Sequence, residues 1–410
     1  MTATAGHPIP TSYPGRVMSR TTADSCPGVL RLHEAADGPL ARIRVPGGRL
    51  PPAQVQALAQ AAHRLGDGNI ELTSRGNVQL RRVHNAGALA DLLGDAGLLP
   101  SRTHERVRNI VASPLSGRIG PHPDIRPLVT ALDTGLLDSP QLAGLPGRVL
   151  FTLDDGRGDV SALHPDIGIH ALGDDRFALV LAGRDSGVRV STTEAVDTLL
   201  AAAHGFLEIG TGQWRLQEID GGTERLTARL GRSPGTERLE FAEQAGPPIG
   251  WLPQNDGLVA LGAGVRLGSL SARTAEFLAA IERPILLTPW RSLVITDLDE
   301  GPAEQVVRVL APMGLLFDAG SPWLRITACA GRPGCAKSHT DIRADAAAAV
   351  EAGRTTAAAT AEADAVPAAS IVTAGRQHWS GCDRHCGRPA GPITEVTATP
   401  DGYQVVSPID

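Results

Sequence analysis

The pattern of hydrophobic and polar positions predicts the same succession of elements twice along the chain. Apolar residues recur every three to four positions in the helical segments and cluster in the strands. Each copy therefore predicts a strand, an amphipathic helix, a second strand, a second helix and a final strand. The first copy reads VPGGRLPPAQVQALAQAAHR, IELTSRGNVQLRRV, LLGDAGLLP, ERVRNIVASPLSG, and the second reads GVRLGSLSARTAEFLAAIER, PILLTPWRSLVITDL, VLAPMGLLFDAG, PWLRITACAGRPGC.

Two arginines recur at matching places of this repeat. Arg75 and Arg291 lie on the second predicted strand, and Arg108 and Arg325 lie on the final one. The interval between the two arginines is 33 residues in the first copy and 34 in the second. We interpret the match as a duplication in an α/β (α+β) protein, which implies an internal pseudo-twofold axis. Two unrelated β-α-β stretches are the alternative.

The segments outside the repeat also have α/β character. RVLFTLDD and RFALVLAGR predict strands between the copies, and TTEAVDTLLAAAHGFLEI predicts a helix. Residues 343–365 are rich in alanine and predict a structural helix. SIVTAG then predicts a strand that leads to the last two cysteines.

Composition excludes several classes of protein. A formal charge of −6 and the lack of a Lys/Arg-rich run argue against nucleic acid as a partner. No apolar stretch reaches the eighteen or so residues that a membrane helix needs. The Pro-rich start, MTATAGHPIPTSYPGR, lacks the apolar region of a signal peptide. We therefore expect a cytoplasmic protein with no membrane partner, in which five cysteines do not form disulfides.

Four of the cysteines form a C-x5-C pair and a C-x3-C pair, and we predict that Cys329, Cys335, Cys382 and Cys386 bind a metal centre. Structural zinc usually prefers shorter spacings, and a thioredoxin-like C-x-x-C is absent. The flanking glycines would let the backbone approach the sulfides of a [4Fe–4S] cluster, which is the interpretation that the pattern favours. Inert buried thiols are the alternative.

The arginines of the repeat are candidate ligand-binding groups. Four guanidiniums in one cavity would suit a polyanion, because each can grip a carboxylate with two hydrogen bonds. Asn77 and Asn109 would add hydrogen bonds. LGAGVRLG, residues 261–268, lacks the spacing of a dinucleotide loop, so electrons would come from a separate donor.

Three histidines and an aspartate near the thiols, His339, His378, His385 and Asp383, could serve a mononuclear iron. Ordinary loop polarity is the favoured interpretation of each of these four residues. The fifth thiol, Cys26, is interpreted as a buried small hydrophobe.

The T-x-R strand, the R-N-I strand and the spacing of the cysteines resemble the nitrite and sulfite reductase family over about residues 25 to 395. The resemblance implies a [4Fe–4S] cluster on the four cysteines, with Cys386 bridging to sirohaem in the sirohaem-containing members. It also implies that Arg75 and Arg108 grip tetrapyrrole carboxylates or the active-site anion.

The segment LPGRVLF, residues 145–151, departs from the reductase pattern. Sirohaem reductases carry two proton-supplying lysines in this segment, and Arg148 and Leu150 stand at those positions. Arginine is too basic to donate protons near neutral pH, and leucine cannot donate at all.

This departure and the N-terminal segment SCPGVLRLHEAADGPLARIRVPGG resemble the precorrin-3B synthase branch of the family more than the sirohaem reductases. That branch implies precorrin-3A and dioxygen as substrates, hydroxylation at C20 with closure of a γ-lactone in aerobic cobalamin synthesis, and a mononuclear non-haem iron. The external electron donor would be NADH-linked or of ferredoxin type. A sirohaem-dependent nitrite or sulfite reductase and a non-catalytic iron–sulfur or zinc scaffold are the alternatives.

The resemblance also implies a division into two ferredoxin-like half-domains and two α/β domains. Substrate contacts are then expected from Arg75, Asn77, Arg108, Asn109, Arg148, Arg291 and Arg325. The expected division is 1–24 (disordered), 25–98 (half-domain, copy 1), 99–243 (α/β domain, copy 1), 244–318 (half-domain, copy 2) and 319–410 (α/β domain, copy 2, with the cysteines).

Overall fold

A computed structural model describes residues 24–242, 246–353, 375–389 and 391–407. The expected disordered start at 1–24 therefore lies almost wholly outside the described residues. Most of the predicted helix at 343–365 also lies outside the described residues, and its described part belongs to a helix at 342–351. The predicted strand SIVTAG lies outside them except for its last residue.

The described residues form twenty strands in four sheets, and two of these sheets belong mostly to the first half of the chain. In chain order, the strands of the first half are β1 (His33–Ala35), β2 (Gly38–Ile43), β3 (Arg49–Leu50), β4 (Asn69–Leu72), β5 (Val78–Leu80), β6 (Ile110–Ala112), β7 (Phe151–Asp154), β8 (Ile167–Gly173), β9 (Arg176–Leu181) and β10 (Arg184–Ser191). The helices of this half are α1 (Pro52–Leu65), α2 (Ala86–Asp95), α3 (Arg126–Asp138), α4 (Thr192–Ile209) and α5 (Gly222–Arg229).

The second half repeats most of this succession, without counterparts of β10, α4 and α5 among its described residues. Its strands are β11 (Gly250–Pro253), β12 (Val259–Val265), β13 (Ser269–Ser271), β14 (Ile285–Leu287), β15 (Ser292–Leu298), β16 (Leu315–Leu316), β17 (Ile326–Ala328), β18 (Gln377–Ser380), β19 (Thr394–Thr399) and β20 (Gly402–Val406). Its helices are α6 (Ala272–Ala279), α7 (Glu300–Leu310) and α8 (Ile342–Glu351).

The strand orders confirm the duplication. One half-domain sheet has the order β1-β2-β5-β4-β13, and the other has the order β11-β12-β15-β14-β3. Each half-domain therefore contributes one strand to the sheet of the other. The remaining two sheets also match. In both β6-β7-β8-β9 and β17-β18-β19-β20, the first two strand pairs are parallel and the third pair is antiparallel. We call strands β1–β10 the first copy and strands β11–β20 the second copy.

Burial of apolar faces joins the two half-domains into one core. Helices α1 and α6 pack against each other, and their alanine and leucine side chains share a cluster with both half-domain sheets. A second cluster lies between α3, α4 and the β6–β10 sheet, and a third covers the β17–β20 sheet. The helix predicted from TTEAVDTLLAAAHGFLEI is α4, and a capping box of Ser191 and Glu194 fixes its start. Among the described helices, none has the length and hydropathy needed to cross a bilayer.

The first pair of repeat arginines, Arg75 and Arg291, lies in turns, which corrects the predicted strand positions of these two residues. Arg75 lies in the turn between β4 and β5, and Arg291 lies in the turn between β14 and β15. Gly76 and Arg291 both have positive φ, and the N–H group of each donates to the carbonyl three residues earlier. Arg291 is therefore the counterpart of Gly76, and Arg75 is the counterpart of the tryptophan before Arg291.

The second predicted pair is also displaced by one residue. The N–H of Ser113 donates to a carbonyl of β7 (3.1 Å), and the N–H of Cys329 donates to a carbonyl of β18 (3.0 Å). In this register Arg325 matches Asn109, not Arg108. Arg325 ends a short 3₁₀ helix and does not lie on the strand.

Candidate metal centre and neighbouring cavity

Two of the four thiols are brought together by neighbouring parallel strands. Cys329 follows β17 directly, and Cys382 comes two residues after the end of β18. Because carboxyl ends of parallel strands meet at one edge of the sheet, both thiols lie at that edge. The N–H of Gly381 donates to the Sγ of Cys329 (3.2 Å), which ties the first loop to the second.

The other two thiols lie in the loops that continue from these strands. The N–H of Cys335 donates to the carbonyl of Gly331 (2.7 Å), which folds CAGRPGC into a compact turn. Partial burial raises the pKa of the Cys386 thiol, and the charges of Cys329, Cys382 and Cys335 raise it further. The four sulfurs are therefore within electrostatic reach of one another.

The spacing of the thiols is not that of an assembled zinc site. A tetrahedral zinc ion with Zn–S bonds of about 2.3 Å brings its sulfurs to about 3.8 Å from one another. Among the described residues, no three cysteine sulfurs lie within 4.8 Å of one another. A cubane takes one thiolate at each of its four irons and so needs a wider arrangement than zinc does. Ligation of a [4Fe–4S] cluster by the four thiols stays a prediction.

The glycines beside the cysteines are required by neighbouring protein atoms. A Cβ at Gly381 would lie 1.9 Å from the hydroxyl of Ser338, and one at Gly334 would lie 2.4 Å from the guanidinium of Arg81. The predicted reason, close approach of the backbone to inorganic sulfide, is not needed to explain these glycines.

Buried ion pairs attach the first cysteine loop to the first half-domain. Arg81 forms a two-pronged ion pair with Asp37, with both distances 2.8 Å, and donates to the carbonyl of Gly334 (3.0 Å). Arg343 reaches Glu71 on β4 (2.5 Å) and also donates to the carbonyl of Cys329 (3.2 Å). The geometry of the thiols thus depends on both copies.

A cavity of about 240 Å³, which we call the cysteine-side cavity, opens beside the second cysteine loop. It contains Arg75 together with arginines that the sequence did not single out, and one of these, Arg388, comes two residues after Cys386. Its principal lining residues are Arg75, Leu150, Asp159, His164, Arg215, Trp290, Arg376 and Arg388. Burial lowers the pKa of Arg75 to about 10, and the guanidinium stays charged at neutral pH.

The four predicted arginines do not converge on one cavity, which corrects that expectation. Arg108 forms a two-pronged ion pair with Asp133 (2.6 and 2.7 Å) on the wall of a different cavity. Arg291 points toward the second cysteine loop, where it donates to the carbonyl of Gly387 (3.5 Å). Arg325 is exposed and lines neither cavity.

The two predicted asparagines are buried and bonded to the protein. The side-chain amide of Asn77 donates to the side-chain oxygen of Asn109 (3.1 Å) and accepts from the N–H of Val45 (2.9 Å). The amide of Asn109 donates to the carbonyls of Gly147 (2.7 Å) and Val149 (3.2 Å). These bonds join the half-domain to the segment that carries Arg148 and leave the asparagines little freedom to contact a ligand.

The segment that departs from the reductase pattern lies beside the cysteine-side cavity. The guanidinium of Arg148 stacks over the Trp214 ring, 5.1 Å from its centroid, while its carbonyl accepts from Arg75 (3.0 Å). Leu150 is buried and contributes an apolar side chain to the cavity wall.

Cys26 does not behave as a simple hydrophobe. Its thiol donates to the carbonyl of Gly147 (3.3 Å) and accepts from Arg42 (3.4 Å) and Arg44 (3.3 Å). The predicted burial of Cys26 is confirmed, but two guanidiniums donate to its sulfur, so it also has polar contacts.

The histidines near the thiols differ in their exposure. His378 is fully buried, its Nδ1 bonds the hydroxyl of Thr327 (2.9 Å), and its Nε2 has no hydrogen-bond partner within the described part of the chain. Burial lowers the pKa of His378 to about 4. His385 lies 3.1 Å from Glu395, whereas His339 is exposed. Among the described residues, these side chains do not bring three ligand atoms within 4.8 Å, so a mononuclear iron has no assigned ligands here.

One buried acidic group borders the cysteine-side cavity. Asp154, Asp155 and Asp159 place carboxylate oxygens within 4.8 Å of one another. Asp154 accepts four backbone N–H groups of the following loop, and Asp155 pairs with Arg157, so both are satisfied within the protein. Asp159 accepts from the hydroxyl of Ser113 (2.5 Å) and lines the cavity. Burial and the charges of Asp154 and Asp155 raise the pKa of Asp159 to about 7.

This shift predicts a measurable dependence of stability on pH. Because the folded-state pKa is raised above 3.8, the native state holds the Asp159 proton more tightly than the unfolded state. The contribution of Asp159 to the free energy of unfolding is largest near pH 4 and is lost as the pH rises toward 7. Asp159→Asn should flatten this part of the profile in urea titrations. The exposed Asp91→Asn should leave it unchanged, and a wild-type-like slope in Asp159→Asn would contradict the assignment.

Comparison with known proteins agrees with this architecture. Residues 33–93 match the family model described as the nitrite/sulfite reductase ferredoxin-like half domain. A precorrin-3B synthase of Sinorhizobium sp is 28% identical, over 93% of this chain and 82% of that protein. A ferredoxin–nitrite reductase of Synechococcus elongatus is 24% identical, over 85% of this chain and 74% of that protein.

A solved structure shares the fold. The NirA protein of Mycobacterium tuberculosis superposes with a TM-score of 0.70 at 20% identity, over 90% of this chain and 74% of that one. The duplicated half-domains, the sheet order and these matches make the chain similar to the nitrite/sulfite reductase family. The predicted family resemblance and the predicted fold class are confirmed.

Proposed function

We propose that the protein is an oxidoreductase that hydroxylates precorrin-3A at C20 with dioxygen and closes the γ-lactone of precorrin-3B. The observation that carries the proposal is the wall of the cysteine-side cavity. Leu150 lies on that wall where the sirohaem reductases carry a lysine, and Arg148 is turned onto Trp214. These side chains are poorly suited to deliver the protons of a six-electron reduction.

The arginines of the cysteine-side cavity would hold the substrate by its carboxylates. Among the described residues, Arg75 and Arg376 have no carboxylate partner, whereas Arg388 pairs with Glu395. Arg215 pairs with Asp166 (2.7 Å), which fixes its orientation. Guanidiniums prefer planar, two-pronged contacts with carboxylates, and a tetrapyrrole acid offers several of these.

The protein's own groups also control water and protons. Leu150, Leu163 and Trp290 supply apolar wall that keeps water from the reacting face. With a pKa of about 7, Asp159 can hold or release a proton at its carboxylate near neutral pH. A [4Fe–4S] cluster held by Cys329, Cys335, Cys382 and Cys386 would supply single electrons from an external donor, NADH-linked or of ferredoxin type.

The balance of the reaction fixes the assay. One atom of dioxygen enters the product and the other leaves as water, with two electrons and two protons consumed. Anaerobically purified protein with its cluster, given precorrin-3A, reductant and ¹⁸O₂, should form a product one labelled oxygen atom heavier by mass spectrometry. An unchanged substrate mass in a cluster-replete sample would defeat the proposal.

Arg75→Met provides the matched test of the substrate site. Loss of one charge-assisted contact should weaken precorrin-3A binding about ten- to a hundredfold, because such hydrogen bonds contribute roughly 1.5–3 kcal/mol. Arg325→Met, which removes an exposed arginine outside the cavity, should bind like the wild type. Equal binding by both variants would remove Arg75 from the substrate site.

A sirohaem-dependent nitrite or sulfite reductase is the second candidate, favoured by the similarity to the ferredoxin–nitrite reductases. It requires tightly bound sirohaem in the purified protein and reduction of nitrite or sulfite by a reduced donor. Zinc without acid-labile sulfide would instead indicate a non-catalytic scaffold and would exclude both enzyme proposals.

A further inference from the structure

The first copy contains a larger cavity that the proposed reaction does not use. We call it the first-copy cavity; it has a volume of about 700 Å³ and shares no lining residue with the cysteine-side cavity. Five arginines line it, and its remaining wall is largely apolar. Three of the arginines form ion pairs, Arg108 with Asp133, Arg118 with Asp297 and Arg126 with Asp124. Its arginines are Arg44, Arg49, Arg108, Arg118 and Arg126.

Two of these guanidiniums carry buried nitrogens without a partner. Arg44 is 2% exposed and has no carboxylate partner in the described ranges, and its Nη1 makes no hydrogen bond there. Arg118 is 6% exposed and pairs with Asp297 through Nε and Nη2 (2.8 Å each), which leaves its Nη1 unbonded. A buried donor without a partner costs free energy, and both guanidiniums add positive charge to the cavity wall.

One helix N-terminus reinforces the positive potential of this cavity. The cavity wall includes Pro51 and Gln54 at the start of α1, which has no side-chain N-cap and no acidic residue in its first turn. The dipole of α1 therefore favours a negative charge in the cavity. At the start of α3, which also lies on the wall, the N–H of Arg126 already donates to the carboxylate of Asp124 (3.0 Å).

The equivalent positions of the second copy have neither the cavity nor its arginines. Its α6 and α8 are the counterparts of α1 and α3, and side chains of Ser271 and Asp341 cap them. The counterpart of Arg44 is Gly264, and a Cβ there would lie 2.3 Å from Leu324, the counterpart of Arg108. Only about 30 Å³ remains at that place in the second copy.

From this contrast we infer that the first-copy cavity is a second ligand site, specific for a small organic polycarboxylate. One backbone arrangement is tightly packed in the second copy, whereas in the first copy it is open and lined with arginines. The apolar wall and the planar guanidinium forks favour a carboxylate on a carbon skeleton over inorganic phosphate. Arg44 also donates to Cys26 and to the carbonyl of Gly147, so the ligand would contact a residue that supports the Arg148 segment.

Citrate is a suitable probe for titration calorimetry with the full-length chain. It should bind saturably at low salt and more weakly as salt increases, because screening reduces the attraction of the arginines. Arg49→Ser, which introduces the residue of the second copy (Ser269), should weaken citrate binding about tenfold. Arg118→Met should weaken it by about ten- to a hundredfold. Inorganic phosphate should bind more weakly than citrate.

Two further variants keep the test decisive. Val129→Trp fills the cavity without removing a charge and should abolish citrate binding, with circular dichroism confirming the fold. Arg75→Met alters only the cysteine-side cavity and should leave citrate affinity unchanged, whatever its effect on precorrin-3A. The inference is overturned if citrate does not bind, if phosphate binds as tightly, or if Arg75→Met alone weakens citrate.

Discussion

Cys382→Ser should eliminate the visible absorbance and acid-labile sulfide of the protein and, with them, its oxidoreductase activity. The expected loss is complete because Cys382 is one of the four predicted cluster ligands. It adjoins Gly381, whose N–H donates to Cys329, another of the four. A serine hydroxyl remains protonated at neutral pH and is a poor ligand for iron compared with a thiolate.

Cys26→Ser is the matched control for this experiment. Cys26 is buried among Arg42, Arg44 and Gly147 and is tied to the first copy, so the cluster should survive its replacement. Iron and sulfide analysis with the visible spectrum checks both variants. A Cys382→Ser protein with its full iron and sulfide content would show that the ligand set is wrong.

Arg81→Met should destabilise the protein by about 3–5 kcal/mol, because it leaves buried carboxylates without their cation. Arg81 and Asp37 are each 9% exposed in their side chains, and Glu71 lies 3.8 Å from the same guanidinium. The variant also removes the hydrogen bond to Gly334, so the cluster should be incorporated less completely.

Urea unfolding and iron content measure the two effects of Arg81→Met separately. Arg308→Met, which breaks the exposed pair with Glu304, should be close to wild type in both measurements. The Arg81 pair should also fail in acid, because its guanidinium lowers the pKa of Asp37. Protonation of Asp37 removes that contribution as the pH falls through the lowered pKa. Wild-type stability of Arg81→Met would refute the proposed attachment.

The sequence was sufficient for the family and the fold because both depend on order and spacing. The duplicated succession of helices and strands could be recognised from periodicity, and the structure repeats it sheet by sheet. The predicted ligation of the cluster by the four cysteines remains a prediction. The structure supports it by placing two of the thiols at one edge of a parallel sheet.

The arginines were less predictable because residue type does not determine register. Aligning Arg75 with Arg291 ignored the hairpin turns, in which the positive φ of Arg291 matches that of Gly76. Arg215 and Arg388 come from loops outside the repeat, so no periodic pattern could identify them. The raised pKa of Asp159 depends on burial beside other carboxylates that only the folded chain brings together.

The exchange of strands β3 and β13 between the two half-domain sheets has a consequence for the origin of the protein. Each half-domain completes its sheet with a strand from the other, so neither has a closed set of hydrogen bonds by itself. A single-copy ancestor with this fold would have met the same need by pairing with a second identical chain. The present chain has the arrangement that such a homodimer would have after fusion into one polypeptide. Ser113 stands at the place of Cys329, so the two copies differ at this position.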